Sequence, residues 1–314
     1  MTIVDVHTHL APLLDEADEH TIDGEKVGPP SLFSRDALLG YLDSAGIDVA
    51  LVSVPPPFYR QRGADQQNGA DPASWARTVN DGLLARLDGH PRLRPLAYLP
   101  LEAPDAAMTE FTRLAAAHPG AFAGFTGSAG GSSVSLAAPE LDQLWAALHS
   151  QEGVLFLHPG HSHDHRLDEF YLSNLLGNPV ETGVAVAQLV FGGIPSRYPG
   201  IRFVLAHGGG VVPAVVGRWE RGLMTTRPGV NPAMEGPRAS VARFFADSLT
   251  HDELAYRAAE SAFGPNQMLL GSDWPFPMGS TDLFGGAGPI ADLPREAEHR
   301  VCSTNAEALL APGL

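Results

Sequence analysis

Four apolar, strand-like runs in this chain end in side chains that seek a metal ion, and nothing else in the sequence restricts the fold so tightly. TIVDVHTHL delivers His7 and His9, GVLFLHPG ends in His158, IRFVLAHGGG ends in His207, and QMLLGSDWPFP ends in Asp273. A parallel α/β barrel collects its chemistry on one rim, at the C-terminal ends of its strands. Apolar runs that stop at polar ligands therefore predict a (β/α)8 TIM-type barrel.

The rest of the chain alternates in the same way. Strands are expected near residues 2–6, 49–54, 95–100, 121–126, 153–158, 201–207, 243–248 and 267–272. Most are short and continuously apolar, as parallel strands buried on both faces must be. Helical patterns separate them. Leu141, Leu144, Trp145 and Leu148 follow i, i+3, i+4, i+7 spacing and make one apolar face. Ser34 reads as an N-cap and Gly46 as a helix stop. Thr250 and Glu253 have capping-box spacing. Strand–helix alternation implies right-handed crossovers. With eight repeats, and no G-x-G-x-x-G after the first strand, a closed barrel is favoured over an open doubly wound sheet. No linker divides the chain, so residues 1–314 are expected to form one barrel domain. The Pro/Gly/Asp-rich stretches 11–31 and 55–74, and the run 127–133, are expected as loops over the active rim.

Composition narrows the partners. A formal charge of −16 without a basic stripe argues against nucleic acid and anionic membranes. No apolar run approaches the ~18–20 residues that cross a bilayer. Ile3, Val4 and Val6 already read as core strand, so no secretory signal is expected before the fold. Cys302 is the only cysteine, which rules out an intrachain disulfide. A cytoplasmic enzyme is the simplest expectation.

The ligands follow from residue chemistry. Two imidazoles two residues apart on a strand share one face, here the barrel interior. His158 follows Val-Leu-Phe-Leu and so ends a strand, whereas His90-Pro91 and His118-Pro119 follow helical runs. A carboxylate at the end of an apolar strand, as Asp273 is, costs free energy unless it is paired or bound to a cation. His7, His9, His158 and Asp273 are expected to hold one divalent metal ion and leave a position for water. Zinc suits these ligands best; manganese, iron or cobalt fit the same set. A second metal is not expected. Lys26 is the only lysine and lies outside the strands, and AFAGFTG offers no bridging Lys or Glu. His207, before three glycines, has two readings: acid/base beside the metal, or fifth ligand. Phe58, Tyr59, Arg60, Arg62 and Trp274 are candidates for the pocket wall. His161, His163 and His165 are read as a solvated polar loop, with substrate contact as the alternative.

Taken together, the chain resembles the amidohydrolase superfamily. The likeness is nearest to the branch typified by aminocarboxymuconate-semialdehyde decarboxylase. It rests on the segment 177–210, on VGRWERG (216–222), on ARFFADSLTHD (242–252) and on LLGSDWPFPMG (269–279). The resemblance implies the same four metal ligands, with His207 hydrogen-bonded to the metal-bound water. It also implies that Arg218 reaches a neighbouring subunit's site to bind a substrate carboxylate, hence a homodimer. Lys26 stands in a loop where the branch carries another substrate-binding arginine, and lysine does not reproduce a bidentate fork. The implied reaction is non-oxidative decarboxylation of a small unsaturated or aromatic carboxylic acid, with His207 and Asp273 as proton carriers. Hydrolysis of a lactone, amide or ester, and hydration of an unsaturated dicarboxylate, would use the same ligands. A barrel that only binds a metabolite should have lost a ligand, and this chain has the full set.

Overall fold

The computed structural model describes residues 1–14, 21–22, 25–59, 71–131, 134–160, 162–284 and 290–311. Strands β1 (Val4–His9), β2 (Val49–Ser53), β3 (Leu93–Tyr98), β4 (Gly124–Ala129), β5 (Val154–Pro159), β6 (Arg202–Leu205), β7 (Phe245–Asp247) and β8 (Met268–Leu269) pair in that order, every pair parallel. The ring returns on itself. Val6 N–H donates to the Leu270 carbonyl at 2.9 Å, Asp273 N–H to that of His7 at 2.8 Å, and Thr8 bridges Trp274. This is the TIM-type barrel that the alternation predicts. β1 starts and ends later than hydropathy suggests, because its pairing with β2 continues to His9 opposite Ser53.

Helices α1 (Arg35–Ala45), α2 (Pro72–Leu87), α3 (Pro104–Ala117), α4 (Asp142–Ser150), α5 (Asn178–Phe191), α6 (Val212–Met224) and α7 (Glu253–Phe263) fill the crossovers. Ser34 caps α1 by accepting from Ala37 N–H at 3.1 Å, and Gly46 ends it at φ 67°. α4 buries Leu144, Trp145 and Leu148 as its spacing requires. The Thr250–Glu253 capping box does not form. Asp252, immediately before α7, caps it instead, accepting from Ala255 N–H at 2.9 Å, because its carboxylate reaches the free amide directly. Lys26 falls in a short antiparallel hairpin of Thr21–Ile22 with Glu25–Lys26, and its side chain lies outside the described residues. Arg60, Arg62 and His161 also lie outside them.

The barrel interior has two layers of opposite character. The lower is apolar: Val4, Val6, Leu51, Leu96, Val154, Phe156, Val204 and Leu269, closed beneath by Leu309 and Leu310 of α8 (Asn305–Leu310). Above it, strand alternation carries His158 inward from Val154 and Phe156, and Asp273 inward from Leu269. β1 needs a further device. Strict alternation that points Val4 and Val6 inward would point His7 and His9 outward. A register irregularity between Asp5 and Thr8 inserts the extra residue that reverses the parity. Val6 and His7 thereby both serve the interior, and His7 sits 4.9 Å, ring to ring, from Phe156.

One buried acid at a strand end stands apart from the strand-end histidines. Glu102 follows β3, is 2% exposed, and accepts from Tyr98 Oη at 2.9 Å. Burial pushes its carboxyl up to about 7. The folded chain therefore holds this proton more tightly than the unfolded chain. The stabilisation is complete below the ordinary glutamate value and is lost as pH rises through about 7. The maximum difference is roughly 3 kcal/mol. Glu102→Gln, which keeps both the acceptor and a donor, should flatten the fall in melting temperature between pH 5 and pH 8. An unchanged pH slope in thermal denaturation of the variant would reject this assignment.

Candidate metal centre

Five side chains from four strand ends meet above the apolar layer. His7, His158, His207 and Asp273 each offer a donor atom within 4.8 Å of the others. His9 joins them, its Nε2 3.2 Å from both His7 Nε2 and Asp273 Oδ1. His7 Nε2 lies 3.3 Å from Asp273 Oδ1, and His207 Nε2 lies 3.6 Å from Asp273 Oδ2.

The far side of three of the imidazoles decides which nitrogen faces the centre. His7 Nδ1 is 2.6 Å from Asp247 Oδ2, His9 Nδ1 is 3.0 Å from Ser53 Oγ, and His158 Nδ1 is 2.9 Å from the Pro159 carbonyl. Each contact suits an Nδ1–H donor, which leaves an Nε2 lone pair pointing inward. Two of the inward atoms, His158 Nε2 and Asp273 Oδ1, are buried without a hydrogen-bond partner among the described residues. Orphaned buried acceptors of this kind call for a cation.

The electrostatics agree. Burial opposes ionisation of Asp273, but the His7 charge and the His207, His7 and His9 imidazoles beside it hold its carboxyl well below the usual range. Burial pulls the His7 imidazole down, yet the Asp273 charge and the Asp247 hydrogen bond win and raise it to about 10. Burial lowers His9, and it lowers His158 well below the ordinary imidazole value. With positive charge disfavoured on His9 and His158, the raised His7 is one positive charge against two buried carboxylates, Asp247 and Asp273, and the cage is left short of positive charge. A divalent cation would supply it, taking the place of the His7 Nε2 proton, and three imidazole nitrogens with one carboxylate oxygen suit such an ion.

The backbone is strained where the site needs it. His207 (φ 55°) and Asp273 (φ 57°) are both left-handed, a conformation that costs about 1–3 kcal/mol per residue unless the surroundings enforce it. Gly208, Gly209 and Gly210 continue the turn with positive φ, and a Cβ at Gly210 would collide with the Pro179 carbonyl. These contacts explain the three glycines after His207.

The centre floors a cavity of about 840 Å³. Of the five residues only His158, His207 and Asp273 line it; His7 and His9 are fully buried behind them. The wall is mostly apolar, with Pro57, Pro213, Leu249, Phe276 and Met278, and carries Asn174, Asn178 and His251 as polar points. Three expectations need correction, the first being Tyr59, which is buried outside the cavity lining with its hydroxyl 2.8 Å from Thr126 Oγ1. Phe58 is buried in the core with its carbonyl accepting from Trp75 Nε1, and the preceding Pro56 and Pro57 line the cavity instead. Trp274 stacks on Tyr41, ring centroids 5.9 Å apart, and does not line the cavity either. Both large apolar rings gain more from the core than from a wet wall. Arg218 is exposed on α6 and outside the lining of its own chain's cavity. His163 and His165 are exposed beyond the cavity lining. Sequence reasoning missed Asp247, although a carboxylate after the apolar FFA carries the same signal as Asp273. It also missed the Tyr171–Pro179 wall, which has no polar pattern to announce it.

A family model described as amidohydrolase matches residues 4–311. Over 307 residues the chain is 28% identical to 2-amino-3-carboxymuconate-6-semialdehyde decarboxylase of Dictyostelium discoideum, covering 88% of this chain and 82% of that protein. Over 260 residues it is 28% identical to gamma-resorcylate decarboxylase of Rhodococcus jostii (strain RHA1), covering 77% of each. Among solved structures it is similar to a dihydroxybenzoic acid decarboxylase from Polaromonas sp. JS666 with bound manganese and the inhibitor 2-nitroresorcinol. The TM-score is 0.79 at 20% identity, over 98% of this chain and 96% of that one.

Proposed function

This chain belongs to the amidohydrolase family, and on that premise we propose that it is a metal-dependent decarboxylase of a small aromatic or unsaturated carboxylic acid. The observation that carries this reading is the convergence of His158, His207 and Asp273 on the floor of a largely apolar cavity. The relatives named above, decarboxylases matched over most of their length, support the choice of reaction.

His7, His9 and His158 through Nε2, with the Asp273 carboxylate, would hold the metal. When bound, a divalent cation supplies Lewis-acid stabilisation of the negative charge that develops as the carbon–carbon bond breaks. The chain's residues do the rest. His207 is part-exposed to the cavity and carries the proton at Nε2. The electron pair of the broken bond takes up that proton at carbon, and carbon dioxide leaves. Leu249, Phe276 and Met278 orient the apolar body of the substrate and exclude water from the reacting carbon. Zinc is the proposed native metal, since the donors are three imidazoles and one carboxylate.

A homodimer completes the proposal. Leu176, Val180 and Val184 are exposed on successive helical turns beside exposed Phe170 and Tyr171, an apolar stripe suited to a second copy. Tyr171 and Leu175 of the same segment also line the cavity. Pairing through this surface would bring the partner to the cavity mouth, where the exposed Arg218 of one chain is proposed to serve the other's substrate carboxylate.

A panel of aromatic and muconate-type acids tests the reaction. With metal content recorded, carbon dioxide should appear in step with a product bearing hydrogen in place of the carboxyl group. Chelation should stop it and metal should restore it. Release of acid or ring opening without carbon dioxide would make the protein a hydrolase and end this reading.

A further inference from the structure

Asp247 touches two parts of the centre at once. It ends β7 and is fully buried. One oxygen, Oδ2, lies 2.6 Å from His7 Nδ1 and accepts from His207 N–H at 3.0 Å. The other, Oδ1, accepts from Gly208 N–H at 2.8 Å and from Leu249 N–H at 3.1 Å. Every contact is with an N–H donor. Two of the amides belong to consecutive residues with positive φ, His207 (55°) and Gly208 (61°), an arrangement whose N–H groups converge on an anion. Leu249, which lines the cavity, is held by the same carboxylate.

We propose that Asp247 is the positioning residue of this site. It keeps the His7 proton on Nδ1, so that Nε2 is the metal donor, and it holds the left-handed turn that aims His207 into the cavity. The inference rests on the metal-centre reading given above. One carboxylate thus ties the geometry of a metal ligand to that of the proton carrier. A neutral carboxamide cannot replace it, since its NH2 would have to face one of two pairs of N–H donors.

The test is Asp247→Asn with apoprotein prepared by chelation, using zinc alone as the probe in competition with a chromophoric chelator. Zinc affinity should fall about 10- to 100-fold. In the zinc-saturated variant, kcat should fall with little change in KM, because His207 is displaced while the cavity wall remains. A loss of affinity of less than tenfold overturns the proposal, as it would if Asp247 only stabilised the fold. If the variant does not fold, cadmium-113-loaded wild-type protein with nitrogen-15 histidine decides. Cadmium coupling to His7 Nε2, with Nδ1 protonated, sustains the proposal; coupling to Nδ1 overturns it. Wild-type protein that binds neither zinc nor cadmium would instead reject the metal centre itself, a separate failure.

Discussion

Asp273→Ala should leave a folded barrel that neither retains metal nor turns over. Asp273 is the one carboxylate among the inward-facing donors, and its Oδ1 lies within 3.3 Å of both His7 Nε2 and His9 Nε2. Removing it leaves three imidazoles with no anionic donor, in a cage where burial already disfavours charge. Turnover is expected to fall by three or more orders of magnitude, about 4 kcal/mol of transition-state stabilisation. Metal content by elemental analysis should fall with it. The fold should survive, because closure of β8 on β1 uses the backbone N–H of Asp273 and not its side chain. A variant with full metal and more than a tenth of wild-type activity would show that the cation lies elsewhere.

His207→Gln separates the two readings of that residue. His207 lies within donor reach of the cluster, yet its side chain is 17% exposed and it lines the cavity. His7 and His9 are closed off. A group that faces substrate and is backed by a carboxylate suits proton transfer, an effect commonly about 10²- to 10⁴-fold in rate. The expected result is a drop of that size in kcat with metal content near that of the wild type. Loss of metal alongside activity would make His207 a fifth ligand, and unchanged turnover would remove it from the chemistry.

The two predictions draw on different kinds of information. That His7, His9, His158, His207 and Asp273 lie at strand ends was legible along the chain, because strand hydropathy is local and a polar residue ending an apolar run stands out within ten residues. The barrel followed from eight such runs separated by helical periodicity. The parity of β1 was not legible. Alternation from Val4 and Val6 points the two histidines the wrong way, and only pairing with β2 reveals the irregularity that turns them inward. Nor could the wall be read from its neighbours in sequence. Phe58 and Trp274 sit beside cavity residues and yet pack into the core, where Trp274 finds the Tyr41 ring.

The sequence alone determined which chemistry was available: imidazoles and a carboxylate at the ends of buried strands, in a chain whose alternation closes a barrel. Tertiary structure alone decided how those groups are aimed. His7 and Asp247 are 240 positions apart and meet at 2.6 Å, and that contact sets which ring nitrogen faces the centre. Hydropathy and periodicity describe a residue among its chain neighbours. The tautomer of a buried imidazole depends on a partner that only the closed ring brings within reach.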